Sequence, residues 1–394
     1  KVLWVFRYPS FSSNLVGPYD VGVIQRRIPG STDSQIFYPA STNKKNNDND
    51  LSYFRNEAIL GLADFSGQSS SLLETLLGEK RHPCLVNAQP LEFGNDNNNG
   101  FPVVLFSHGL GGCMEMYTQL CQQVASSGMI VVALEHEDGS GCYAKTESGE
   151  TIFYKRPDNT PYSREKVVNF RKAFLQQRVK ETMQAIEFFL AEKTEQGQVN
   201  DSSNDRLFSK VAQAIDQSKG VALFGHSFGG TTMALTTQQE SISSKGLINS
   251  LTMLDPWAFT LDDDALQKGI PSSTSLSILS ESWLDNPENK QILQLHSTTS
   301  PKDSLFYMPR SIHSSFSDTA TWAPRFATRP LGLRGKKEKR HETIQSCANA
   351  CINNIINSIE SSEEKSVDLA PLVPFPIMAE EEQEELTRSK ILAS

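Results

Sequence analysis

A serine lies at the centre of a short glycine-rich segment. Residues 225–230 (GHSFGG) place Ser227 between glycines two positions before it and two positions after it. This spacing is the G-x-S-x-G pattern of a nucleophile elbow, in which a sharp turn projects the hydroxyl and the glycines relieve crowding. An activated serine hydroxyl attacks esters and forms a covalent acyl intermediate. The sequence therefore predicts Ser227 as a nucleophile, and a purely structural turn is the alternative.

A serine nucleophile requires a general base, which the histidines after Ser227 can provide. His313 comes directly after the short apolar run 305–308. His296 lies inside an apolar stretch and is more typical of a packed core histidine. His341 belongs to a basic cluster that is typical of an exposed surface. We therefore expect His313 to be the base.

We expect the acid that orients this histidine to lie between Ser227 and His313 along the chain, because the three catalytic residues follow the order Ser, Asp, His in such enzymes. Asp255 ends the apolar run 247–254, and catalytic groups collect at the carboxyl ends of parallel strands. The rival acids Asp262, Asp263 and Asp264 form a run of charge that is typical of a loop. Asp255 is accordingly predicted as the orienting acid.

An acyl-transfer site also needs donors for the oxyanion of its tetrahedral intermediate. Residues 107–112 (SHGLGG) follow the apolar run 102–106, where such enzymes place a backbone N–H donor. We predict the N–H groups of Leu110 and Phe228 as the two donors, with a plain glycine-rich connector as the alternative for this loop. His108 is expected to orient the loop and not to bind a metal.

These residues lie on distant loops, so the fold must bring the loops together at one edge of a sheet. Short apolar runs indicate buried parallel strands, and amphipathic spacing between them indicates helices. The predicted strands are 101–106, 129–134, 221–224, 247–254, 276–279 and 305–308, the predicted helices are 116–127, 166–195, 231–239 and 344–359, and residues 138–164 are expected to form a long loop. The alternation favours an α/β fold with a mostly parallel central sheet, helices on both faces and loop insertions in a single domain.

Composition narrows the class of protein. Across 394 residues the formal charge is −9, which argues against binding the phosphates of a nucleic acid. No apolar run is long enough to cross a bilayer, and six cysteines are too few for a disulfide scaffold. No cofactor or metal site is predicted, because no residue set has the required spacing. Residues 1–378 are assigned to one catalytic domain and residues 379–394 to an acidic tail.

Six segments together resemble the platelet-activating factor acetylhydrolase family. They are 17–22 (GPYDVG), 106–111 (FSHGLG), 133–138 (ALEHED), 225–230 (GHSFGG), 254–259 (LDPWAF) and 313–318 (HSSFSD). The family consists of serine-dependent, calcium-independent phospholipases with an α/β-hydrolase fold. The sequence departs from the family pattern in its Asn-rich inserts, 43–50 and 95–100, and after Asp318, where the family usually continues with aromatic residues.

The resemblance implies the same roles for the residues of the site: Ser227 as nucleophile, Asp255 as acid, His313 as base, and Leu110 and Phe228 as oxyanion donors. It also implies a phospholipid substrate with a short or oxidised sn-2 acyl group, released as a short carboxylic acid with a lysophospholipid, and no cofactor. A carboxylesterase of the same fold that prefers soluble short-chain esters is the alternative. A non-catalytic binding module is disfavoured, because such a module has no need of all three side chains.

Other residues are candidates for contact with substrate and lipid. Trp257 and Phe259 are candidates to line an apolar pocket near the ester, or are ordinary core aromatics. Residues 3–6 and 72–77 are candidates for contact with aggregated lipid or for buried packing, and the basic cluster 336–340 is a candidate for anionic headgroups. The net negative charge favours only weak interfacial association. Oligomeric state stays open, and because the sequence starts with Lys1 so does the choice between a cytoplasmic and a secreted protein.

Overall fold

A mixed sheet organises the chain. The computed structural model describes residues 11, 14–41, 51–92, 100–158, 162–191, 203–271, 274–284, 286–297, 304–323, 325–330, 332–335, 338–360 and 371–374. The strands are β1 (Val21–Arg27), β2 (Asp33–Pro39), β3 (Leu85–Val86), β4 (Val103–Ser107), β5 (Ile130–Leu134), β6 (Tyr143–Lys145), β7 (Thr151–Phe153), β8 (Val221–His226), β9 (Ile248–Leu254), β10 (Ser275–Ser280), β11 (Leu305–Met308) and β12 (Val373–Pro374). Within the described residues, ten of them form one sheet, and β6 and β7 form a separate hairpin.

The order of strands brings several loops to one edge. Across the sheet the order is β12-β11-β10-β9-β8-β4-β5-β2-β1-β3. All neighbours from β11 through β5 run parallel, whereas β12 and β2 pair antiparallel with their neighbours. The carboxyl ends of β4, β8, β9 and β11 therefore open onto the same edge. The prediction of a mostly parallel central sheet is confirmed.

Helices cover both faces of this sheet. They are α1 (Asn56–Ser66), α2 (Ser70–Leu77), α3 (Thr118–Ala125), α4 (Arg164–Leu190), α5 (Ser203–Gln213), α6 (Phe228–Thr237), α7 (Glu240–Ser243), α8 (Asp263–Lys268), α9 (Asn289–Leu295), α10 (Arg325–Thr328) and α11 (Arg340–Ile359). On β4, Val103 and Leu105 pack into a core shared with α4, α5 and α6. Val104 and Phe106 alternate to the opposite face and pack with α3 and α11. Every residue of β4 is buried, because both faces are covered.

Two predictions about the chain between these elements are wrong. The predicted loop 138–164 contains the β6–β7 hairpin, in which Tyr143 pairs with Phe153. The acidic run that was expected to form a loop instead begins α8, because the Asp262 carboxylate accepts a hydrogen bond from the Ala265 N–H and caps the helix. The other predicted strands and helices are present, with ends shifted by a few residues.

Several predictions fall on residues that lie outside the described part of the chain. These are the Asn-rich insert 43–50 and most of 95–100, the lipid-contact candidate 3–6, residues 336–337 of the basic cluster and the acidic tail 379–394. Among the helices that the structure does describe, none combines the length and the hydropathy of a membrane span. All six cysteines are free and buried, as expected for a chain without a disulfide scaffold.

Candidate active site

Ser227 sits on a strained turn between β8 and α6. Its backbone has φ 56° and ψ −119°, a conformation that non-glycine residues rarely adopt. The turn is very close: a Cβ atom on Gly225 would lie 2.5 Å from the carbonyl oxygen of Gly229, and one on Gly229 would overlap the carbonyl oxygen of Ser107. Both glycines of the motif are therefore required by close backbone approach, as the elbow pattern predicts.

Asp255 follows β9 at the same edge of the sheet. Its side chain is fully buried. The Ser280 N–H donates to Oδ1 and the Ser280 hydroxyl donates to Oδ2, each at 2.6 Å. These two bonds fix the plane of the carboxylate, and burial keeps water from competing with them.

His313 joins the serine to the aspartate. It begins a short helical turn, His313–Phe316, that follows β11. Its Nε2 lies 3.1 Å from Ser227 Oγ, and its Nδ1 lies 3.0 Å from Asp255 Oδ2. Because an ionised carboxylate only accepts, Nδ1 carries the proton, and the Nε2 lone pair faces the hydroxyl. The structure thus brings together the three side chains predicted from the sequence, in the protonation arrangement that a serine nucleophile requires.

His226, inside the serine motif, lies against the ring of His313, with ring centroids 4.6 Å apart. Its Nδ1 is 2.8 Å from the hydroxyl of Tyr117, which in turn accepts a hydrogen bond from the N–H of Gly109 at 3.2 Å. The pKa of His226 is held well below its ordinary value by burial and by the neighbouring His313. The His226 ring therefore stays neutral, so no second positive charge lies beside His313 when His313 takes up a proton.

Residues 107–112 form a loop that approaches Ser227. A Cβ atom on Gly109 would lie 3.1 Å from Ser227 Cβ, so the two backbones are in close contact. The N–H of Gly111 donates to the Ser140 carbonyl at 2.8 Å and that of Gly112 to the Gly109 carbonyl at 3.1 Å. No hydrogen bond within the described residues uses the N–H of Leu110 or of Phe228, the first residue of α6. Both predicted donors are thus N–H groups without a hydrogen-bond partner among the described residues.

The aromatic candidates for a substrate pocket are both half-buried. The Trp257 ring lies 6.2 Å from the Phe228 ring, and the backbone N–H of Trp257 donates to the Ser227 carbonyl at 3.1 Å. Phe259 lies farther out and stacks on the exposed Tyr162 with ring centroids 5.9 Å apart. Trp257 is therefore the nearer of the two to the nucleophile. Their part in substrate binding stays a prediction.

The lipid-contact candidate 72–77 coincides with most of α2 and divides between two environments. Leu72 is 47% exposed, whereas Leu77 is fully buried in a small core with α1. The histidines that were set aside lie as expected. His296 is buried, with its Nε2 2.8 Å from the Ser277 hydroxyl, and His341 is exposed.

One group of potential metal ligands occurs among the described residues. It consists of His226, Asp255 and His313, whose ligand atoms lie within 4.8 Å of one another. Asp255 and His313 already bind each other, and His226 Nδ1 already faces Tyr117. The chemistry of this set favours proton transfer over metal binding.

Comparison with known proteins identifies the family of this chain. The chain matches the family model described as platelet-activating factor acetylhydrolase, isoform II, over residues 10–366. It belongs to this family. The chain is 30% identical over 333 residues to the platelet-activating factor acetylhydrolase of Cavia porcellus, a match that covers 81% of this chain and 72% of that protein. It is 27% identical over 316 residues to the same enzyme of Gallus gallus, covering 75% of this chain and 70% of that protein.

Membership in the platelet-activating factor acetylhydrolase family makes the protein an ester hydrolase, and phospholipid ester hydrolysis is the activity at the level of the family. The structure is also similar to a ferulic acid esterase from Streptomyces cinnamoneus, with a TM-score of 0.56 and 14% identity over 90% of this chain and 95% of that one. At that identity the likeness concerns the fold alone. The predicted α/β-hydrolase fold is confirmed.

Several residues of the site were not predicted from the sequence. They are Tyr117 and His226 near His313, Ser280 on Asp255, Trp283 on the face of the His313 ring and Arg178 at the loop 107–112. A signal existed for two of them. His226 lies within the serine motif, and Ser280 directly follows the predicted strand 276–279. Trp283, Tyr117 and Arg178 are brought to the site only by folding.

Proposed function

We propose that the protein hydrolyses the sn-2 ester of phospholipids whose acyl chain is short or oxidised. The observation that carries the proposal is the continuous contact from Ser227 Oγ to His313 Nε2, at 3.1 Å, and from His313 Nδ1 to Asp255 Oδ2, at 3.0 Å. Membership in the family and the names of the curated relatives support the choice of substrate.

In the first half of the proposed reaction, Ser227 Oγ attacks the ester carbonyl carbon while His313 Nε2 takes the hydroxyl proton. Asp255 stabilises the resulting imidazolium through its bond to Nδ1–H. Negative charge develops on the former carbonyl oxygen, where the N–H groups of Leu110 and Phe228 donate to it. His313 then gives its proton to the departing sn-2 oxygen, so that the lysophospholipid leaves and the acyl group stays on Ser227.

The second half releases the acid. His313 takes a proton from a water molecule, which attacks the acyl-enzyme through the same oxyanion arrangement, and the proton returns to Ser227 Oγ as the ester bond breaks. Every proton in this scheme passes through His313. Because no step requires a metal ion, we expect activity to be independent of calcium and insensitive to chelators.

The substrate range follows from the surroundings of the nucleophile. Trp257, whose ring lies 6.2 Å from the Phe228 ring, is the candidate apolar contact for a short acyl group. Weak association with a lipid interface is expected, because the protein carries a net charge of −9 and anionic surfaces do not attract it.

The test is a panel of phosphocholine lipids that differ only in sn-2 chain length, together with soluble p-nitrophenyl esters. We expect the acetyl and other short sn-2 chains to react fastest, with loss of most of the rate in Ser227→Ala. Ser244→Ala, on the exposed surface after α7, is the matched control. An organophosphate should label Ser227, as mapped by mass spectrometry. Near-normal turnover by Ser227→Ala would overturn the proposal, and a strong preference for soluble esters would assign a carboxylesterase instead.

A further inference from the structure

Helix α4 carries an arginine that is wholly buried beneath the loop 107–112. Arg178 is among the largest side chains with no solvent exposure. Its Nε donates to the Ser140 hydroxyl at 2.8 Å and lies 3.1 Å from Asp138 Oδ2. Its Nη1 donates to the His108 carbonyl at 2.6 Å and lies 3.3 Å from the Ser107 hydroxyl. Burying a guanidinium is costly unless it is paired, so its position here calls for a specific role.

The contact with His108 fixes one peptide unit of the loop. The carbonyl oxygen of the His108–Gly109 peptide accepts from Arg178, and its N–H donates to the Tyr117 hydroxyl at 3.2 Å. A peptide is planar and trans, so a unit held at both its oxygen and its nitrogen has no freedom to rotate. Arg178 and Tyr117 therefore determine the direction in which the chain enters the next peptide.

That next peptide carries the predicted oxyanion donor. The Gly109 carbonyl accepts from the Gly112 N–H at 3.1 Å and from His108 Nδ1 at 2.8 Å. Because the N–H of a trans peptide points away from its carbonyl, these two bonds turn the Leu110 N–H in the opposite direction. The Leu110 N–H is left without a partner among the described residues.

The same guanidinium also contacts the second donor residue. Its Cζ lies 4.9 Å from the centre of the Phe228 ring, within the range of a cation–π interaction. Arg178 is thus in contact with the strand-to-loop segment that leads to Leu110 and with the side chain of Phe228. Leu110 and Phe228 are the two residues whose N–H groups donate to the oxyanion in the proposed reaction.

We propose that Arg178 is a positioning residue for the oxyanion site. Its hydrogen bond to the His108 carbonyl orients the loop so that the Leu110 N–H points toward the oxyanion of the transition state. The inference rests on the proposed function, because it assigns a role within that acyl transfer. An oxyanion donor acts only as charge develops, so misplacing it lowers kcat and leaves ground-state binding nearly unchanged. A buried arginine that served only stability would instead lower the fraction of folded enzyme.

The experiment separates these roles in Arg178→Lys and Arg178→Gln. Active sites are titrated with an organophosphate, and kcat is expressed per titrated site. We expect kcat to fall by about 10- to 100-fold in Arg178→Gln and by less in Arg178→Lys, with KM within about threefold of wild type. Lysine keeps the charge but lacks the fork that reaches Ser140 and His108 together.

Binding of a tetrahedral mimic gives an independent readout. The inhibition constant of a trifluoromethyl ketone should rise by about the same factor as kcat/KM falls, because the ketone adduct places an oxyanion against the same donors. Lys180→Gln, at an exposed position of α4, is the matched control and should change neither quantity. Wild-type kcat per titrated site and an unchanged inhibition constant in both Arg178 variants would overturn the proposal.

A second variant keeps the test decisive if the Arg178 variants do not fold. Asp138→Asn leaves Arg178 in place but weakens its anchor, so we expect kcat to fall and the inhibition constant to rise together by about three- to tenfold. A fall in folded protein with neither change contradicts the proposal. Failure of the positioning role is distinguishable from failure of the proposed function, since only the latter leaves Ser227→Ala active.

Discussion

Trp283 stacks on the face of His313, with ring centroids 4.6 Å apart and ring planes inclined by 18°. His226 lies on the same imidazole at an equal centroid distance and a steeper inclination of 38°. The imidazole is therefore confined between two rings while its nitrogens face Ser227 and Asp255. Such confinement favours the rotamer in which proton transfer to and from Ser227 is possible.

Replacing Trp283 should weaken the confinement of the His313 imidazole. Because a stacked aromatic pair contributes about 0.5–1.5 kcal/mol, we expect Trp283→Ala to lower kcat by up to about tenfold, and Trp283→Phe to retain most of it. Steady-state kinetics on a short-chain phospholipid measures both. Trp322→Ala, at a ring that packs on Phe54 away from the site, is the control. An unchanged kcat in Trp283→Ala would show that the remaining contacts hold the imidazole by themselves.

The carboxylate of Asp255 should matter because it accepts a hydrogen bond from His313, and not because of its shape. In Asp255→Asn the remaining carbonyl can still accept from Ser280, and the new NH2 then faces His313 Nδ1. That arrangement favours the tautomer with its proton on Nε2, which cannot accept from Ser227, so kcat should fall by about 10⁴-fold with the fold intact. Circular dichroism checks the fold. Asp263→Asn, at an exposed carboxylate on α8, should behave as wild type.

The sequence predicts the reacting groups because each follows a recognisable strand. Ser227 follows β8, Asp255 follows β9 and His313 comes soon after β11, so one rule about strand ends finds all three. The α/β-hydrolase architecture follows from the same apolar runs. His296 illustrates why position outweighs residue type: it is buried between Ser277 and Ser304 and takes no part in the site.

The supporting groups were not predictable in this way. Arg178 lies on an amphipathic helix, where an arginine usually indicates the solvated face, and only the path of the loop 107–112 over α4 makes it a buried partner. The run of carboxylates at Asp262 is typical of a solvated loop, whereas its capping of α8 depends on a backbone geometry that composition does not contain. The pattern of charges in the sequence therefore does not predict the position of a side chain whose burial or capping depends on the folded backbone.

A buried carboxyl on α4 predicts an unusual pH dependence of stability. Glu181 lies 2.7 Å from His136 Nδ1, and burial together with the nearby Asp138 raises the pKa of Glu181 to about 8. The folded protein then keeps a proton that the unfolded chain releases near pH 4.3. Since the folded state binds more protons between these values, the free energy of unfolding should fall as pH rises from about 4.3 to about 8.

Glu181→Gln removes this titration, so its unfolding free energy should fall less steeply with pH than that of wild type, by at most about 1.4 kcal/mol per pH unit. Urea unfolding at several pH values between about 5 and 8 measures the two slopes. Glu187→Gln, on the exposed face of the same helix, should follow wild type. Parallel slopes for wild type and Glu181→Gln would mean that Glu181 stays ionised in the folded protein.

The hydroxyl of Tyr117 links the loop 107–112 to His226, which lies against the ring of His313. It accepts from the Gly109 N–H and donates to His226 Nδ1, so Tyr117→Phe leaves two buried polar groups without a partner, each at a cost of about 1–3 kcal/mol. We expect a lower melting temperature and, per titrated site, a kcat reduced by about tenfold, because the peptide before the Leu110 N–H loses one of its two anchors. Tyr19→Phe, whose backbone N–H binds the Ser126 carbonyl just after α3, is the control. A variant that loses stability but keeps wild-type kcat per site would show that Arg178 alone is sufficient to orient this loop.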